Sequence, residues 1–137
     1  MYQYSRAIFL AVREFVEPED GSEREHAQRE VLVACEQAVE RLAADPRYFA
    51  HPALSLFSDV RRYFPIGQQA RVLAVVEQVM TLANEQVRRE LDRLGELDAR
   101  CQATTRKGRP CQRTPLARVG YCPSHLHLAR RPSRLAS

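Results

Sequence analysis

A chain of 137 residues, 45% hydrophobic and 28% charged, has room for one domain of ordinary size and a small appendix, and its composition is that of a soluble globular protein. Its net charge of +4 conceals an asymmetry: nine basic and no acidic residues lie from Arg100 onward, which leaves twelve basic against seventeen acidic residues in 1–99. No apolar run approaches the ~20 residues needed to cross a bilayer, and Arg6 and Arg13 interrupt the apolar start MYQYSRAIFLAVREFVE, so neither a signal peptide nor a membrane anchor is expected and the chain reads as cytosolic.

The first hundred residues read as helices with short connections. Tyr4, Ala7, Ile8, Ala11, Val12 and Phe15 recur at three- and four-residue steps and predict one apolar stripe. Glu17-Pro18-Glu19-Asp20-Gly21 ends that helix. Ser22 then offers an N-cap for the next, with Glu25 as its capping-box partner. The second helix is expected to run to about Ala44, burying Val31, Leu32, Cys35, Val39 and Leu42, until Asp45-Pro46 stops it; Tyr48 and Phe49 are expected to fold back onto the core. Cys35, among apolar neighbours, reads as a small core residue.

Pro52 suits the first turn of a third helix, whose face shows Leu54, Leu56, Phe57, Val60 and Phe64 before Pro65 and Gly67 close it. A long fourth helix takes Val72, Val75, Val76, Val79, Leu82, Ala83, Val87, Leu91, Leu94 and Leu97. Its second half, EQVRRELDRLGELDAR, is thin in apolar residues, which suits projection past the core or a homodimer contact. Four amphipathic helices with short turns predict an all-α fold, a small four-helix bundle over residues 1–98.

After Arg100 the helical stripe is lost and turn residues dominate. Within CQATTRKGRPCQRTPLARVGYCPSHLH stand Cys101, Cys111, Cys122 and His125, with intervals of nine, ten and two residues. Three thiols and an imidazole are what a closed tetrahedral zinc site requires, and a reduced cytosolic chain favours metal over disulfide. His127 could take the place of His125, but the Cys-x2-His spacing favours His125. Gly108 and Gly120, each shortly before a ligand, suit tight metal-loop turns. So few apolar residues cannot hold a fold by burial alone, whereas zinc-binding energies of ~10–16 kcal/mol become folding energy. The expectation is a zinc knuckle at 99–128 and a basic disordered tail at 129–137.

The string RCQATTRKGRPCQRTPLARVGYCPSH resembles a group of short zinc knuckles of bacterial and phage proteins, with a basic Cys-x-Ala-x-Thr-x-x-Gly-x-x-Cys lead-in, a variable loop and Tyr-Cys-x-x-His. The resemblance covers about 26 of the 137 residues. It implies Cys101, Cys111, Cys122 and His125 as ligands, and Ala103, Thr105, Gly108 and Tyr121 as supporting positions. It is specific for metal and much less so for role, members being mostly supposed to bind nucleic acid or protein. The front section resembles helical proteins of high-GC bacteria and brings no activity with it.

Twenty of the 21 basic residues are arginine, a bias that a GC-rich genome accounts for; it does not account for the missing acids. The basic tail suggests a polyanion contact. Arg106, Lys107, Arg109, Arg113 and Arg118 are the candidate nucleic-acid-binding residues. Arg130, Arg131 and Arg134 form either a further basic arm or a solvated tail. Tyr121 reads as packing against the metal loops rather than stacking on a base.

Other constellations fall away. Glu23-x-x-His26 is half of a di-iron pattern without its second half. His51 before Pro52 reads as a turn residue. In Arg61-Arg62-Tyr63-Phe64 the rings are expected to face the core and the arginines solvent. No Gly-rich phosphate loop or nucleophile elbow is present. Four protein ligands leave a metal no open position, so the expected protein is not an enzyme. It is a zinc-containing binding protein whose knuckle meets RNA, DNA or a nucleoprotein machine; the alternative is a protein–protein adapter whose helical bundle engages the partner.

Overall fold

The computed structural model describes residues 1–18, 23–95, 99–116 and 119–130. Among them are four α-helices: α1 (Tyr2–Val12), α2 (Arg24–Ala44), α3 (Pro52–Val60) and α4 (Ile66–Arg93). Turns of 3₁₀ helix lie at Arg13–Phe15, Pro46–Tyr48, Arg61–Tyr63 and Pro123–Arg130. Extended pairing among the described residues is confined to an isolated antiparallel bridge between Thr104 and Pro110. The fold is all-α, with a Cys/His cluster in the C-terminal region. No helix among the described residues is long and apolar enough to cross a membrane. The chain divides into two compact units, Met1–Val87 and Arg88–Ser137. The boundary expected after residue 98, the positions Asp20, Gly21, Ser22 and Leu97, and the tail from 131 lie outside the described residues.

In the first unit α1 packs on α2 and α2 on α3. Tyr4 donates its hydroxyl hydrogen bond to Gln86 of α4, and the Arg71 guanidinium sits 5.2 Å from the Phe15 ring centroid, so α4 closes on α1 from both ends. The core is built from Ile8, Val12 and Val16, then Ala27, Val31, Cys35, Ala38, Val39 and Leu42, then Leu56, Val60 and Phe64, and from α4 Val72, Val76, Met80, Ala83 and Val87. These follow helical spacing along each element, which is why burial of one stripe per helix suffices.

The stripes are shifted in places from those the sequence suggests. On α1 the buried positions are Ser5, Ile8 and Val12 while Ala7 and Ala11 are exposed. Ser5 is tolerated inside because its hydroxyl donates to the Tyr2 carbonyl at 3.0 Å. Leu54, Leu82 and Leu94 are exposed, at 55%, 49% and 45%, and do not join the core. Leu32 is half-buried, and Met80, an unbranched side chain suited to irregular gaps, lies in the core instead of Leu82. α2 starts after Glu23, which makes no side-chain cap bond. Its start is held instead to the 3₁₀ turn after α1, where Arg24 and Gln28 donate to the Glu14 and Arg13 carbonyls.

Asp45 does more than stop α2. Almost fully buried, it accepts the Arg47 backbone N–H at 2.9 Å, capping the 3₁₀ turn, and grips the Arg47 guanidinium through both carboxylate oxygens at 2.9 Å. That bidentate pair satisfies a charge that burial alone would penalise. Phe49 then returns to the core under Arg41, 4.1 Å from its ring centroid, while Tyr48 is exposed. Pro52 opens α3 at its first turn. Phe64 is fully buried and Tyr63 half-buried, with Arg61 and Arg62 outside; Arg62 lies over the Tyr63 ring and donates to its hydroxyl at 2.8 Å.

Phe64 is 0% exposed, so Phe64→Ala should cost about 3–5 kcal/mol in urea unfolding followed by helical circular dichroism. Leu54→Ala should stay within about 0.5 kcal/mol. Equal losses would place the core elsewhere.

Candidate metal centre

In the second unit α4 ends at Arg93, and Gly95 just beyond it, at φ 72°, takes the left-handed conformation that glycine supplies past a helix end. From Ala99 the chain forms a hairpin. Cys101 N–H donates to the Arg113 carbonyl at 2.9 Å and Cys111 N–H to the Ala103 carbonyl at 2.8 Å. Closer to the tip, Thr105 N–H donates to Arg109 and Gly108 N–H to Thr105. The loop is therefore Arg106-Lys107-Gly108, with Gly108 at φ 77°, the three-residue hairpin form that wants its last residue left-handed. Sequence reasoning recognised a turn here but not the pairing of its flanks. The missed signal is alternation: Cys101 and Ala103 are buried, Gln102 and Thr104 exposed, and a glycine closes a short loop.

A third segment lies against this hairpin. Gln102 N–H donates to the Gly120 carbonyl at 2.8 Å, and Leu116 N–H to the Tyr121 carbonyl at 2.8 Å. Gly120 has φ 85°, and a Cβ there would meet the Gln102 side chain at 2.8 Å. From Cys122 the 3₁₀ turn begins, with His125 N–H donating to the Cys122 carbonyl at 3.0 Å. This turn, which the loss of helical stripe does not announce, carries His125 over the thiol two intervening residues back. Arg113 reaches across to donate to the Ser124 hydroxyl at 3.0 Å and so ties hairpin to turn.

The result brings one ligand atom from each of Cys101, Cys111, Cys122 and His125 within 4.8 Å of one another. His125 points Nδ1 inward, 3.5 Å from Cys101 Sγ and 3.3 Å from Cys122 Sγ. A tetrahedral ion at usual Zn–S and Zn–N lengths sets S···N separations of about 3.6 Å, so the donor set fits. All three cysteines are buried and free, not paired in a disulfide. His127 is exposed, and the cluster contains His125. Ala103 is buried among the cysteines, with Tyr121 and Leu128 packed on them.

The sulfurs sit in a field of backbone donors. Burial raises the Cys101 pKa, but N–H groups of Cys122 and Ala103 and the His125 ring outweigh it and bring the value down to about 7. The Cys122 N–H lies 3.3 Å from that sulfur. At Cys111 the Arg113 N–H favours the thiolate, yet burial and the neighbouring Cys101 and Cys122 thiols prevail and push the pKa up. Both cysteines thus receive the N–H of the residue two ahead, an arrangement that would stabilise thiolates bound to a metal. Cys35 differs: burial first, then Glu36, lifts it to about 12, as for an inert core thiol.

The basic candidates fall on two parts of this unit. Arg106, Lys107 and Arg109 are exposed at the hairpin tip, and Arg113 is exposed at its base. Arg118, Arg131 and Arg134 lie outside the described residues, as does the side chain of Arg130. Neither Glu23 with His26 nor His51 joins a cluster among the described residues; all three are exposed. No family model matches this chain, and comparison with curated proteins and with solved structures returns no match.

Proposed function

We propose that this chain is a non-enzymatic binding protein in which Cys101, Cys111, Cys122 and His125 hold a structural zinc ion, and that the ordered basic hairpin docks on nucleic acid. The convergence of three sulfurs and one Nδ1 within 4.8 Å carries the metal half of this reading. Borderline-soft Zn²⁺ suits a three-thiolate, one-imidazole set. With four protein ligands the ion would keep no open position for substrate or water, so its part would be to hold the loops together. Three thiolates against Zn²⁺ leave about −1, which the surrounding N–H donors and arginines suit.

The polyanion half rests on charge. Nine basic and no acidic residues lie from Arg100 onward. Among the described residues no hydrogen bond or ion pair engages the side chains of Arg106, Lys107 and Arg109. Metal at the base of the hairpin would hold these cations close together at its tip, and phosphate contact would release counterions.

Protein purified without added metal should contain about one zinc per chain by elemental analysis. His125→Ala should weaken zinc retention against a chelator by 10-fold or more, while His127→Ala leaves it unchanged. Zinc-free protein with a native hairpin, or equal loss in the two variants, would remove the reading. Retained zinc with a protein partner captured through the bundle and no nucleic-acid binding at low salt would favour the adapter.

A further inference from the structure

We infer that the surface recognised by this hairpin is the phosphate backbone of B-form duplex DNA, gripped by Arg106, Lys107 and Arg109 without reading bases. The inference rests on the proposal that the second unit binds nucleic acid. It adds the form of nucleic acid and the mode of contact.

Shape is the first argument. The segment from Cys101 to Arg113 is a hairpin with one isolated antiparallel bridge and three cross-hairpin backbone hydrogen bonds, closed by Arg106-Lys107-Gly108, with residues 106–110 all exposed. The major groove of B-DNA is about 12 Å wide and admits a two-stranded ribbon, whereas that of A-form RNA is too deep and narrow for side chains. A compact tip with three cations also gains most where phosphates are densest. Duplex DNA offers a charge per about 1.7 Å of axis, against about 3.4 Å along one strand.

Aromatic chemistry is the second argument. Single-strand sites stack successive bases on exposed rings. Tyr121 is the sole Phe, Tyr or Trp after Phe64, and it is packed against Cys101, Cys111 and Cys122. His125 faces the thiols, which leaves His127 as the one exposed imidazole among the described residues of this unit, where a stacking platform needs several rings. Base reading requires side chains locked by supporting hydrogen bonds. No such bond among the described residues holds Arg106, Lys107 or Arg109. Unbraced cations at a loop suit phosphates, which tolerate many approaches.

The test uses the zinc-loaded full chain and fluorescence anisotropy against two duplex DNAs of unrelated sequence, an oligo-dT strand and an RNA duplex. The two DNAs should bind alike, within about threefold, and tighter than the strand or the RNA. Replacing Arg106, Lys107 and Arg109 by alanine should flatten the log K against log salt plot by about 0.9 per cation, about 2.7 for all three. Arg106→Lys with Arg109→Lys should restore the slope, and zinc content shows that each variant keeps its metal. Tighter binding to strand or RNA, or a tenfold preference between the duplexes, would overturn the inference while leaving nucleic-acid binding in place. Absence of binding to every probe by zinc-loaded protein would overturn the function it rests on.

Discussion

The second unit depends on holding three sulfurs and one imidazole nitrogen together. Its buried cluster is Cys101, Ala103, Cys111 and Cys122, with partial cover from Tyr121 and Leu128. Four small side chains remove too little apolar surface from water to offset the ordering of the loops around them. Backbone hydrogen bonds register the hairpin, but bonds exchanged with water contribute only about 1 kcal/mol each. A coordinated ion is the interaction of sufficient size, since its binding energy becomes folding energy. In the proposed zinc form every other feature has its place: glycines at 108 and 120 let the loops turn back, backbone N–H groups meet the sulfurs, and Arg113 on Ser124 fastens the turn that carries His125.

The first unit needs no such device. Its helices bury Ile8, Val31, Leu42, Leu56, Phe64, Val76 and their neighbours against one another, enough apolar surface for the burial to dominate. Its polar exceptions are satisfied locally, Ser5 by a carbonyl one turn back and Asp45 by Arg47. The chain thus joins two solutions to the same entropic problem, burial in front and side-chain convergence behind.

Much of this was legible in the sequence. Helical periodicity marked α1 to α4, and Pro46, Pro52 and Pro65 marked their ends, because the helical period and proline geometry are local rules. Which residue of a stripe faces inward was less legible. Ser5 displaces Tyr4 and Met80 displaces Leu82, since packing against neighbours, not hydrophobicity alone, sets the rotation of each helix. The spacing of Cys101, Cys111, Cys122 and His125 named the members of the Cys/His cluster, because which side chains can hold a metal is a matter of chemistry. It did not reveal that His125 turns Nδ1 inward, nor that 101–113 pairs as a ribbon. That pairing is made mostly of Gln, Ala, Arg and Pro positions, with Thr104 and Thr105 its only strand-favouring residues, and tertiary closure on the cysteines overrides the weak preference.

Hydrogen exchange on the full chain, before and after zinc removal by a chelator, tests the central claim most directly. The account predicts that the amides of Cys101, Gln102, Thr105 and Cys111 lose their protection on removal while those of Val31 to Leu42 in α2 keep theirs. Unchanged protection of the hairpin amides in metal-free protein would contradict it.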